Sequence, residues 1–248
     1  MIYIKSDSEI DAMRRAGRIT GETLAMLEEE VKPQVTTAYL DKIAEEYIIK
    51  AGAKPSFKGL YGFPASLCIS VNEEVVHGIP GSRVLQEGDI VSVDCGAYYQ
   101  GFHGDATRTF PVGKISSEAQ RLIDVTRQSF FEGVKYALVG NRIGDIGNAV
   151  QTYVEKNGFT VVKDYVGHGI GRKMHEEPSV PNYGKKNRGP KLVKGMAIAI
   201  EPMVNAGDCR VKELNNGWTV VTLDGKPSAH YENTIAILDN GPEILTLI

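Results

Sequence analysis

Four carboxylates and two histidines stand out because the sequence presents them twice, in the same order. Asp94 closes EGDIVSVD and Glu201 closes KGMAIAIE. Asp105 lies in HGDAT and Glu232 in HYENT, while His77 opens HGIP and His175 opens HEEP. A carboxylate that follows IVSV or AIAI into an apolar core costs several kcal/mol unless it is paired or metal-bound. Any one strand-end acid is more often solvated or salt-bridged, but four at matched positions reverse that balance. Brought together they repel, so something cationic must lie between them. Arg108 stands near Asp105 in sequence and can serve one acid, not four. His168, in GHGIGR, is a fifth candidate. Carboxylates with one imidazole form a hard donor set, better suited to two divalent ions such as Mn²⁺, Fe²⁺ or Co²⁺ than to a thiolate-rich structural zinc. Two such ions balance four carboxylates and can generate a nucleophile from water near neutral pH. The chemistry read from these residues is metal-assisted hydrolysis.

His77 and His175 each precede a proline by three positions in a loop, away from any apolar helix face. Beside the metals, as non-ligands, they can donate to a developing oxyanion or deliver a proton to a leaving amine. His103 and His230 lie two residues before Asp105 and Glu232, on the same strand face. That placement allows either to contact the acids; the expectation for both is packing or ordinary hydrogen bonding.

Other chemistries lack their motifs. HEEPS has no second histidine for HExxH, and Pro178 would spoil the helix that motif needs. GHGIGR has neither the GKS/T ending nor the GxGxxG spacing of a phosphate loop. There is no GxSxG, and Cys68, Cys95 and Cys209 have no histidine beside them and form no CxxC pair.

The elements that must position these residues follow from patterning. Helices are expected at 7–30, capped by Asp7 or Ser8, and from Thr36–Thr37 to Gly52. Further helices are expected at 116–139 and 143–157. GDIVSVDCGAYYQGFHGDATRTF reads as two strands joined by a short turn, and 196–204, 218–224 and 232–238 read as strands. The doubled order of helix, helix, HxxP, strand and strand implies two similar halves, about 1–115 and 116–248, facing each other across one sheet. That is one α+β domain with pseudo-twofold symmetry.

Composition agrees. The 248 residues are 42% hydrophobic and 24% charged, with a net charge of −3. No global field draws such a chain to nucleic acid or to an anionic membrane. No apolar run approaches the ~18 residues of a membrane span, and the amino-terminal segment has no signal-peptide core. A cytoplasmic protein with free thiols is expected.

The segments CISVNEEVVHGIPGSRVLQEGDIVSVDCGAYYQGFHGDATRTFPVG, YVGHGIGRKMHEEPSVPNYG, GMAIAIEPMVNAG and WTVVTLDGKPSAHYENTIAI resemble the type I methionine aminopeptidases, bacterial form, over nearly the whole chain. The resemblance implies the pita-bread fold, a curved antiparallel sheet flanked by helices. It implies removal of the initiator methionine from nascent chains near the ribosome, with a small second residue preferred. It implies two divalent ions (cobalt, manganese, iron or zinc) on Asp94, Asp105, His168, Glu201 and Glu232, with Asp105 and Glu232 bridging. Glu201 would accept the proton of the attacking water, and His77 and His175 would be the two catalytic histidines. A methionine pocket of Phe63, Cys68, Met174 and Trp218 is implied, with Leu60 and Tyr61 nearby. So is a monovalent cation at the loop of Asn72 and Ser228. Two other readings compete: a Xaa-Pro aminopeptidase or prolidase-like enzyme, and a pita-bread binding module without metals. Prolidase-like relatives usually carry a large extra amino-terminal domain, and all five ligands needed for catalysis are present here.

Overall fold

A computed structural model describes residues 1–248. Helix α1 spans Asp7–Glu30 and α2 spans Thr37–Lys50. Ser6, not Asp7 or Ser8, caps α1. Its hydroxyl accepts from the Glu9 amide at 3.3 Å, while the Glu9 carboxylate accepts from the Ser6 amide at 2.9 Å, a reciprocal capping box. The helix's apolar stripe of Ile10, Met13, Ile19, Leu24 and Leu27 is buried. Gly52, at φ 79°, follows the end of α2, a conformation favouring glycine.

Helix α3 spans Ser117–Val134 and α4 spans Ile143–Lys156. α3 ends five residues before the expected 139. Tyr136 and Ala137 bond back to the Gly133 and Val134 carbonyls, and Ala137 is buried in one cluster with Phe130 and Ile143. Continuing the helix would forfeit that burial.

The strands Ile90–Tyr99 and Phe102–Pro111 form the expected hairpin, and Leu67–Val71 pairs with the other edge of Ile90–Tyr99. Val91, Val93, Cys95 and Ala97 alternate into a core built with α1 and α2. The alternation of a strand turns Asp94 to the opposite face. In the second half, Ala197–Ile200 pairs with Asn233–Leu238. Ile198, Ile200, Ile235 and Ile237 pack with Phe130 of α3 and Ile146 of α4.

The hydrogen-bonded strands form four sheets rather than one. Beneath the site the two halves are stitched together by threonines, and elsewhere by pairing of Glu74–Val76 with Val220–Thr222. Thr107 and Glu232 exchange backbone bonds at 3.3 and 3.0 Å. On either side of that pair hydroxyls replace the backbone ladder. Thr109 Oγ1 donates to the His230 carbonyl at 2.8 Å and accepts from the His230 amide at 2.9 Å. Thr234 Oγ1 makes the equivalent pair of bonds with Asp105, at 2.9 and 3.0 Å.

Two expected strands are shorter than their patterning suggests. The run 196–204 breaks into Ala197–Ile200 and Met203–Asn205, because Pro202 has no amide to give a ladder. Glu201 sits at that break. The run 218–224 shrinks to Val220–Thr222, because the Asn216 side chain captures the amides of Trp218 and Thr219 at 3.0 and 2.9 Å. Helix α1 lies directly on the strand that carries Asp105. A Cβ placed on Gly104 would stand 2.7 Å from the Gly17 nitrogen, so this backbone-to-backbone approach requires glycine.

Candidate active site

The seam between the halves is the floor of a cavity of about 720 Å³ lined by Asp94, Asp105, His168, Glu201, Glu232, His77 and His175 among others. All five sequence-derived ligand candidates meet there. Asp105 and Glu232 are 3% and 2% exposed. His168 Nε2 stands 3.6 Å from Asp105 Oδ2 and 3.7 Å from Glu201 Oε1. Ligand atoms of Asp105, His168 and Glu232 converge within 4.8 Å of one another, as do those of Glu201, His230 and Glu232. Glu232 is common to both groups.

Orphaned oxygens mark the same place. Asp94 Oδ1, Asp105 Oδ1 and Glu232 Oε1 are buried without a hydrogen-bond partner, an arrangement that is costly unless a cation is bound there. The other Glu232 oxygen accepts from Thr107 Oγ1 at 2.9 Å. Arg108 does not neutralise the cluster. Its guanidinium turns to the Glu232 carbonyl at 2.6 Å, to Asn233 Oδ1 at 2.7 Å and to the face of Tyr231. The residues therefore fit hard divalent cations, with only the imidazoles of His168 and His230 beside them. His168 Nδ1 lies 2.8 Å from the Gly169 carbonyl. Donating there would leave Nε2, once its own proton is lost, as the nitrogen free to hold a cation among the carboxylates.

The electrostatics follow from enclosure. Burial raises the pKa of Asp94 and Glu232 well above the usual carboxylate range, and Asp105 and Glu201 raise both further. Burial also raises Asp105, with His168 opposing. For His168, burial disfavours the charge, but Asp105 and Glu201 overcome it and hold the pKa above the ordinary value. His77 is pulled down by burial. His175 is pulled down to about 4 by partial desolvation of its ring and then by His168. Both are neutral near pH 7 and present a neutral N–H.

His77 adopts φ 58°, a region more open to histidine than to most side chains, and its ring meets Tyr165 edge-on at 5.7 Å. The His175 ring lies 4.5 Å from that of His168 and stacks on Tyr61 at 5.8 Å. Beside the carboxylates the wall turns apolar: Phe63 and Trp218 meet edge-on at 5.0 Å, with Leu60, Tyr61 and Cys68 also lining the cavity. Burial, then Asp94, raises the Cys68 thiol, so it is an apolar wall rather than a nucleophile. Met174 does not reach the cavity surface. It is 3% exposed and packs in one cluster with Phe63 and Cys68.

His103 fulfils its expectation, bonding to Ser56 Oγ at 2.9 Å and packing on Tyr98. His230 does not. It is 2% exposed, and its unpartnered Nε2 stands 3.6 Å from Glu201 Oε2. Its repeat mate His103 faces elsewhere; the pairing of Met203 with His230 inside the second half brings it to Glu201. Asn72 and Ser228 do meet: the Ser228 amide donates to the Asn72 carbonyl at 2.8 Å, and the Ser228 hydroxyl to that of Val204 at 3.3 Å.

Comparison with known proteins follows the same line. The description "Metallopeptidase family M24" matches residues 11–239. The chain is 66% identical over 248 residues to a methionine aminopeptidase of Clostridium perfringens, covering 100% of both chains. It is 53% identical over 248 residues, again covering both fully, to methionine aminopeptidase 1 of Bacillus subtilis. The crystal structure of methionine aminopeptidase from Rickettsia prowazekii superposes with a TM-score of 0.98 at 41% identity, covering 100% of both chains. The pita-bread architecture expected from sequence is thus present.

Proposed function

The chain belongs to metallopeptidase family M24, on the branch of the methionine aminopeptidases, and from that premise we propose that it hydrolyses the peptide bond after an amino-terminal methionine, preferring a small second residue. The observation that carries this reading is the meeting, in one cavity, of five hard ligands, two neutral histidines and an apolar aromatic wall. Asp94, Asp105, His168, Glu201 and Glu232 would hold two divalent cations, of manganese, iron, cobalt or zinc. The membership of Glu232 in both converging groups supports its being shared. Bound there, such cations supply Lewis acidity and make water nucleophilic near neutral pH.

The remaining work falls to the chain. Glu201 accepts the proton of the attacking water. His77 and His175, neutral and opening on the cavity, donate hydrogen bonds to the carbonyl oxygen as charge develops on it. Phe63, Trp218 and Cys68 take the thioether, which gains favourable sulfur–aromatic contact, with Met174 backing that wall. Thr107 and Glu232 pair across the two halves, and this supports reading the whole chain as one catalytic domain. We place its action in the cytoplasm, on nascent chains near the ribosome; no helix is long and apolar enough to cross a membrane.

The test is incubation of the purified protein with Mn²⁺ or Co²⁺ and tripeptides varied at the first two positions. Met-Ala-Ser should release free methionine. Leu-Ala-Ser should be slower by about ten-fold or more, because shape misfit in an apolar pocket is worth about 1–3 kcal/mol. Equal rates for the two peptides, or a strict need for proline in second place, would overturn the methionine-specific reading in favour of a prolidase-like one.

A further inference from the structure

We propose that Lys5 is a positioning residue for His175, acting through a buried ion pair with Glu176; this rests on the aminopeptidase reading, in which His175 faces the reacting carbonyl. The His175 side chain makes no hydrogen bond in the structure. Its aromatic contacts are stacking on Tyr61, itself 75% exposed, and the edge of His168. Its place is therefore set by its backbone, and that backbone is fixed by the next residue.

Glu176 Oε1 accepts from the Lys173 amide at 3.1 Å, closing a turn around Met174 and His175. Glu176 Oε2 accepts from Lys5 Nζ at 2.7 Å, with the two side chains 4% and 3% exposed. Lys5 is anchored in turn. Its amide donates to the Gly195 carbonyl at 2.8 Å, its ammonium also reaches the Tyr3 carbonyl at 3.2 Å, and Ile2 bridges to Glu177.

The joint has no slack. A Cβ on Gly171 would stand 2.5 Å from Lys5 Cε and 2.8 Å from Glu176 Oε1, and one on Gly195 would stand 2.5 Å from the Lys5 carbonyl. A pair of apolar side chains fills such a space at no loss of stability, because the ion pair carries two desolvation penalties. What apolar side chains cannot do is fix a direction. The ion pair links the amino-terminal segment to the turn holding His175, and through Met174 to the residues behind the Phe63 and Cys68 wall.

The experiment replaces both charges, Lys5→Met with Glu176→Leu, so that no charge is left buried alone and the protein folds. Turnover of Met-Ala-Ser with Mn²⁺ is measured in the parent and in a His175→Ala background. In the parent background, kcat should fall about 10–100-fold, as expected for a catalytic group displaced by about 1 Å, with KM and metal content nearly unchanged. In the His175→Ala background the same pair of changes should cost less than about two-fold, because groups acting as one unit are not additive. Equal losses in the two backgrounds, or no loss in the parent, would overturn the role of Lys5. The His175 imidazole resonances should also shift in the double variant, since the ring moves relative to Tyr61. That NMR readout does not need activity. A parent protein that releases no methionine overturns the aminopeptidase reading, and unshifted His175 resonances overturn the positioning role separately.

Discussion

Loading the chelator-treated protein with a divalent cation near pH 7 should expel protons. Burial raises the pKa of Asp94, Asp105 and Glu232, and ligand atoms of Asp105 and Glu232 lie within 4.8 Å of each other. Two like charges at that spacing repel by about 3.5 kcal/mol at an effective dielectric of about 20. Burial and this repulsion together oppose full ionisation of the cluster, whereas ordinary carboxyls ionise freely near neutrality. A cation must therefore displace at least one proton, and His168, held above its ordinary value, surrenders its own when Nε2 becomes a ligand. For an acid whose folded pKa is raised, higher pH removes the competing proton in advance. Apparent affinity accordingly rises with pH, about tenfold per unit for each proton expelled, and levels off once the pH passes the folded pKa. Calorimetric titration with Mn²⁺ in two buffers of different ionisation enthalpy reads the number directly. We expect at least one proton at pH 7, with affinity climbing as the pH rises. No buffer dependence together with a flat affinity would refute the argument that mutual repulsion governs this cluster.

Other outcomes follow from single side chains. His175→Ala should keep its metal, measured by elemental analysis, while kcat falls by about 10²–10³-fold; normal kcat, or lost metal, would contradict the role proposed for it. Asp105→Ala should lose metal content and turnover together, whereas near-normal values for both would reject its place among the ligands. Gly17→Ala, a change that stabilises an exposed helix by about 0.5–1 kcal/mol, should here destabilise by about 2 kcal/mol in urea titration. The added methyl would meet the Leu245 carbonyl oxygen at 2.3 Å, and overpacking costs about 1–3 kcal/mol.

The parts of this molecule legible in its sequence are those encoded locally or twice. The helix starts are written in caps and apolar stripes, so α1, α2 and α4 lie where patterning puts them. The ligand candidates were legible because a carboxylate at the end of an apolar strand is anomalous, and the anomaly recurs in a second copy. What stayed hidden depends on contacts made at a distance. The end of α3 is decided by burial of Ala137, which no local propensity reports. Arg108 looked like a partner for Asp105, yet its guanidinium is drawn to the Glu232 carbonyl and Asn233, more than a hundred residues away. Met174 is buried in one cluster with Phe63 and Cys68 behind the pocket wall, a placement that only the folded chain reveals. His230 and His103 hold equivalent positions in the repeat, yet strand pairing puts His230 beside Met203 and Glu201 while His103 bonds to Ser56.

The threonine seam has a consequence for how the protein comes into being. Its hydrogen bonds join residues 121 to 129 positions apart. Contacts of such sequence separation form late, because the chain entropy lost in closing so long a loop is repaid only when the loop is shut. Each half can gather its own helices and hairpin first, but neither contains a complete set of ligands. Hydrolytic competence therefore arrives in the last act of folding, and a half-made chain carries no reactive centre. A cation that recognises only the joined halves acts on the reverse step, holding the seam shut and slowing its opening, rather than hastening either half to fold.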